Sequence, residues 1–81
     1  MPSVKRSKLP RSLLHRLYQR AIERGASTND IIRMAAWLNS NAQVPDGPWW
    51  KNFGSFKLCG DGELPKTFLA PHQSAYGEEI A

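Results

Sequence analysis

Arg16, Arg20 and Arg24 recur at every fourth residue of the segment "RSLLHRLYQRAIER". Side chains spaced in this way are neighbours on one side of a helix, so three guanidinium groups line up along it. Like charges so placed cost a few tenths of a kcal/mol per pair, and a helix built for stability alone would alternate signs. Glu23 is the single acid in reach. The row continues through Arg11 into Lys5, Arg6 and Lys8 of the N-terminal segment. A strip of this kind neutralises phosphates of a nucleic acid and releases their counterions. It equally fits an acidic surface of a protein complex, and the residue types alone do not separate the two.

The charge distribution supports the same emphasis. Through Arg24 there are seven basic residues and one acid, whereas the remainder holds four basic residues and six acids. The two parts carry about +6 and −2, and a one-sided positive field speeds encounters with polyanions. With 81 residues, 41% hydrophobic and 22% charged, the chain has the composition of one small folded domain. Its longest apolar run, "MAAWL", is too short to cross a bilayer, and the basic start precedes no apolar signal core. The single cysteine, Cys59, forms no internal disulfide. These features predict a cytoplasmic protein with no membrane partner.

The elements that must position these residues follow from patterning. Residues 1–10 read as a basic flexible arm, 11–70 as a single globular domain and 71–81 as a polar tail. Leu13, Leu14, Leu17, Tyr18, Ala21 and Ile22 fall on one side of a first helix, which Gly25 ends. Ser27 or Thr28 caps a second helix, and Asp30 sits near its positive end. Ile31, Met34, Ala35 and Leu38 form the buried stripe of this helix, with Trp37 at its flank. "NSN" stops it, because asparagine tolerates left-handed geometry. The short connection implies that the stripes are buried against each other. In the second half, "SFKLC" alternates as a strand does, "CGDGEL" supplies a turn centred on Asp-Gly, and "ELPKTFL" is a return strand. Pro65 confines that strand to an edge or a bulge. The expected fold is α+β: two N-terminal helices packed on a small C-terminal antiparallel β-hairpin.

Across the helix pair, Ala21, Gly25, Ile31 and Met34 fall at the spacings of a helix-turn-helix. The stretch from Leu17 to Ala36 therefore resembles the helix-turn-helix of DNA-binding proteins. Arg20 and Arg24 depart from it by occupying places that are usually apolar, and no helix precedes the pair. The resemblance implies that Ser27, Thr28, Asn29, Ile32 and Arg33 face outward, with Thr28, Asn29 and Arg33 reaching base edges. It also implies a possible homodimer if a palindrome is read. A plain αα-hairpin satisfies the same pattern.

Other motifs carry less. "GDGELPKT" is close to a phosphate-cradling loop, but Pro65 replaces its second glycine and removes a backbone donor, and Pro71 stops any following helix. His15, His72 and Cys59 lie in three different elements without paired ligand spacing, so no metal or cofactor is expected. No nucleophile–base pair is apparent, and the chain reads as a non-enzyme. The aromatic stretch "VPDGPWWKNFGSF" supplies the rings that must join hairpin to helices: Trp49, Trp50, Phe53 and Phe56, with Phe68 beyond. Adjacent residues of an extended segment face opposite ways, so one of Trp49 and Trp50 is a candidate contact residue beside Lys51. The reading is a small basic nucleic-acid-binding protein, DNA favoured over RNA. The alternative is an inhibitor that occludes a host nucleic-acid-processing complex, as small phage and plasmid proteins do.

Overall fold

In the computed structural model, which describes residues 2–4 and 6–80 and the backbone alone of Arg6, helix α1 spans Arg11–Glu23 and α2 spans Thr28–Asn39. Pro10 stands immediately before α1, where a missing N–H costs nothing. Gly25 closes α1 with φ of 76°, while Ala26 N–H donates to Ala21 and Gly25 N–H to Ile22. This pair of bonds is the Schellman arrangement, and it needs a residue free to adopt positive φ. Ser27 caps α2, its hydroxyl accepting from Asp30 N–H at 3.1 Å. Asn41 follows the helix with φ of 53°, the left-handed stop expected of "NSN".

The second half is larger than a hairpin. Strands β1 (Pro48–Asn52), β2 (Lys57–Asp61), β3 (Leu64–Leu69) and β4 (Glu78–Glu79) form one sheet in the order β3-β2-β1-β4. β1, β2 and β3 pair antiparallel, and β4 lies parallel to β1. The expected hairpin is therefore present as β2 and β3, but "PWWKN" adds a strand beside it and the polar tail returns to add another. Ile80 N–H donates to Trp50 at 2.8 Å, which fixes the tail at that edge. The β2–β3 turn is centred on Gly62-Glu63 rather than Asp-Gly. Gly62 alone of that pair has positive φ, 59°, the requirement of a turn with glycine at its first central place. Pro65 lies on the edge strand β3 beside a register shift at Cys59/Gly60, where its missing donor is tolerated.

The N-terminal segment is docked rather than free. Val4 and Val44 exchange backbone bonds with Ala42 and Pro2, each 2.9 Å, and the buried side chains of Val4 and Leu9 join the core. A small domain gains from every apolar side chain available, and this segment supplies two. Leu17 and Ala21 of α1 and Met34 and Leu38 of α2 meet Trp49, Phe53, Phe56, Leu58 and Phe68 in one cluster. The buried helix residues thus join one core with the rings of the sheet, whereas Ile22, expected on the buried side of α1, is 65% exposed.

A succession of rings runs through that cluster. Trp37 lies 5.4 Å from Trp49 and 6.2 Å from Phe53, Phe53 stacks on Phe56 at 5.4 Å, and Phe56 meets Phe68 edge-on at 5.1 Å. Truncating Phe56 or Phe68 to alanine should cost about 3–5 kcal/mol. This approaches the stability of a whole small domain, so both variants should be largely unfolded at room temperature by circular dichroism and urea titration. Melting within a few degrees of the parent would remove the rings from the core.

Candidate nucleic-acid interface

Each step of four residues advances the α1 row by about 40° around the helix. Arg16, Arg20 and Arg24 therefore drift from the solvent side toward the buried side marked by Leu17 and Ala21. Arg24, the last of them, reaches β3 and donates from Nη1 to the Phe68 carbonyl at 3.4 Å. The side chains of Arg16 and Arg20 are exposed and make neither hydrogen bonds nor ion pairs among the described residues. Arg11 does not extend the row. It precedes Arg16 by five residues, about 140° around the helix, and lines a separate cleft of about 420 Å³ with Leu9 and Leu14. Lys8 is exposed in a single 3₁₀ turn, Arg6–Lys8, while Lys5 and the Arg6 side chain lie outside the described residues.

The start of α2 carries the other candidate residues. Thr28 and Asn29 are exposed in its first turn. Together with Ile32 and Ala36 they make an uncharged outward face, on which Ile32 is 60% exposed. Arg33 is engaged elsewhere. Its Nη1 donates to Asp30 Oδ1 and to the Phe53 carbonyl, both at 3.1 Å. Through that nitrogen it ties α2 to the β1–β2 turn, while the side chain as a whole stays 62% exposed.

That attachment is one bond of a polar clasp that sequence reading missed. Ser55 donates from its hydroxyl to Asp30 Oδ2 at 2.7 Å and from its backbone N–H at 3.0 Å, and Ser27 N–H donates to the Ser55 hydroxyl at 3.0 Å. Ser55 thus relays between the two ends of a "Ser-x-x-Asp" pattern that normally closes on itself at a helix start. The pattern at Ser27–Asp30 was legible, but its partner 25 residues away was not. Gly54, with φ of 107°, gives the turn its path, and a Cβ there would approach Asp30 Oδ2 to 3.1 Å.

Of the paired tryptophans, Trp49 is fully buried and its Nε1 donates to the Gly62 carbonyl at 2.9 Å. It is core and offers no contact surface. Trp50 points to the opposite face of the sheet, half-buried, with the Lys57 ammonium 4.9 Å from its ring centre. Lys51 lies 5.5 Å from the Phe53 ring centre. Burial pushes the Cys59 thiol up from its ordinary value, with only partial relief from Lys57, so it is held as thiol rather than reactive thiolate. Among the described residues, no group of three His, Cys, Asp or Glu side chains gathers to hold a metal, and no helix is long and apolar enough to cross a membrane. No family model matches the chain, and comparisons with curated proteins and with solved structures give no match either.

The clasp makes a pH-dependent contribution of predictable sign. The two Ser55 bonds, helped by Arg33, hold the Asp30 carboxyl below its ordinary value of 3.8. A carboxyl depressed in the folded state stabilises it fully above the unfolded value, and that stability is lost as pH falls through the folded one. The stability gap between the parent and Asp30→Asn should therefore be constant near neutrality and narrow below about pH 4 in urea titrations. A gap independent of pH would show that the carboxylate charge does not stabilise the clasp.

Proposed function

We propose that this protein is a small, non-catalytic nucleic-acid-binding protein that grips its ligand by the phosphates along α1. The observation carrying this reading is the pair Arg16 and Arg20. They are adjacent, exposed cations on a helix flank, with no side-chain partner among the described residues, and the first 24 residues around them hold a single acid. Maintaining two such charges side by side gives nothing to the isolated fold. A polyanion provides the missing counter-charge and gains entropy by releasing its own ions.

Duplex DNA is favoured over duplex RNA, because the B-form major groove admits a helix and the A-form groove does not. Thr28 and Asn29 are the uncommitted groups for base edges in the α2 reading, since Arg33, though 62% exposed, already bonds Asp30 and the β1–β2 turn through Nη1. Any sequence preference therefore rests on few contacts, and phosphate binding dominates. The natural setting of this reading is the cytoplasm, where Cys59 stays reduced. The competing reading, occlusion of an acidic face on a nucleic-acid-processing complex, draws support from Ile22 and Ile32. These helix residues are 65% and 60% exposed and would desolvate well against protein.

Replacing Arg16 and Arg20 with glutamine should weaken duplex binding and flatten its salt dependence by about 0.9 in log–log slope for each phosphate that is no longer neutralised. The fold should be unchanged, since neither side chain has a partner among the described residues. A salt series of electrophoretic shifts with parent and double variant makes the measurement. Absence of any shift with DNA or RNA at low salt would remove this proposal in favour of the protein-occluding one.

A further inference from the structure

The face of the sheet turned away from the helices carries a cavity of about 350 Å³. Pairing places Trp50, Cys59 and Thr67 in one row across it, with Lys57 and Leu69 in the next. Cys59, Thr67 and Leu69 line the cavity from the sheet, Lys66 and Asp61 bring opposite charges to its lining, and Tyr76 of the tail closes the set. A volume of this size lies at the low end of the ~300–1,000 Å³ range of small-ligand sites, and mostly apolar walls with few polar groups are typical of them.

The tail is built to stand over this cavity. Before it, Lys57 Nζ donates to the Gln73 carbonyl at 2.6 Å, and Gln73 Oε1 accepts from Ala70 N–H at 2.7 Å. Beyond it, Gly77 has φ of 103° and lies so close to the Pro48 backbone that a Cβ would run into it. β4 then pairs with β1. Residues 74–76 are thus held between two anchors, yet Tyr76 is 82% exposed. A large ring carried on an anchored segment and left in solvent contributes little to the fold, and it offers a flat face for stacking.

We propose that this cavity takes an unpaired base of a single-stranded nucleic acid. The base would stack on Tyr76, with the Lys66 ammonium toward its phosphate and the Asp61 carboxylate accepting from a ring or amino N–H. Aromatic stacking with a nearby cation is the general chemistry of single-strand recognition. Within the lining the cation Lys66 lies on β3 and the acid Asp61 ends β2, while Glu78 and Glu79 follow Tyr76 as β4 at the other edge of the sheet. Lys66 and Thr67 belong to the hairpin that fails as a phosphate cradle, and the fold nonetheless turns both toward one cavity. The choice of ligand rests on the nucleic-acid reading above, but the site shares no residue with the α1 flank.

The test is fluorescence anisotropy of a labelled short oligothymidine and a labelled duplex, using the full chain and its Tyr76→Ala, Tyr76→Phe and Lys66→Gln variants. Tyr76→Ala should weaken oligothymidine binding about tenfold and leave duplex binding within about twofold, whereas Tyr76→Phe keeps the ring and the affinity. Lys66→Gln should weaken oligothymidine binding and lower its salt dependence. The Arg16 and Arg20 double variant should lose duplex affinity while the effect of Tyr76→Ala on the single strand persists. Oligothymidine binding unaffected by Tyr76→Ala would overturn the site while leaving the α1 proposal intact. Loss of duplex binding in the parent, with a Tyr76-dependent single-strand complex, would overturn the α1 proposal alone. Displacement of the strand by an excess of free thymidine monophosphate would overturn the single-strand assignment in favour of a free nucleotide.

Discussion

The indole of Trp49 lying across Gly60 is the contact on which the rest of the structure depends. A Cβ at Gly60 would collide with that ring, so the sheet has a gap in its inner face that only an indole from the neighbouring strand fills. Filling it has three consequences. β1 is locked against β2 in a register where Trp49 opposes Gly60. The buried Nε1 is satisfied by the Gly62 carbonyl, which ties the ring to the β2–β3 turn. The outer side of the indole becomes the floor on which Trp37 of α2 rests. A two-stranded hairpin is marginal in water, and a third strand with a ring-covered face makes it a platform that can hold helices.

Helix α2 is held to this platform at two places by different forces. Its C-terminal half is held by ring contacts of Trp37 and by burial of Met34 and Leu38. Its N-terminal turn is held by the Asp30–Ser55–Ser27 clasp, with Arg33 bonded to the Phe53 carbonyl. Dispersion and burial tolerate small slides, whereas hydrogen bonds to a carboxylate fix position and direction. The combination sets the rotation of α2 about its own axis. That rotation determines which side chains remain outward, and the result is an uncharged face of Thr28, Asn29, Ile32 and Ala36.

Local patterning made the helices legible almost residue by residue, because their stops and caps are local: Gly25, Ser27 and Asn41 each act on neighbours within a turn. The second half was legible only where its pairing is also local. Strands β2 and β3 adjoin in sequence, and their turn was displaced by one residue only. β1 was hidden because its two adjacent tryptophans face opposite sides, Trp49 the core and half-buried Trp50 the outer face, so "PWWKN" shows no apolar–polar alternation. β4 is two exposed acidic residues whose strand character comes from an edge far away in sequence. The docking of Val4 and Leu9 was obscured by the charges around them. For the candidate site, the positions of the arginines were readable, but their distant partners were not: Arg24 and Arg33 each reach a backbone carbonyl, 44 and 20 residues away.

The acceptor of Arg24 explains how an unfavourable charge row survives in so small a domain. Repeated at four-residue intervals on a helix of 3.6 residues per turn, identical side chains cannot all have the same surroundings. The first of the row stands in solvent and the last is carried over the flank to the sheet. Arg24 there accepts a structural duty at the end of α1, where a cation also complements the helix dipole. Leu17 and Ala21, buried on the same helix, offset the repulsion that remains among the others. Helix geometry thereby turns a uniform sequence pattern into a graded one: an anchored arginine beside β3, and two arginines, Arg16 and Arg20, left on the exposed flank of α1 without side-chain partners among the described residues.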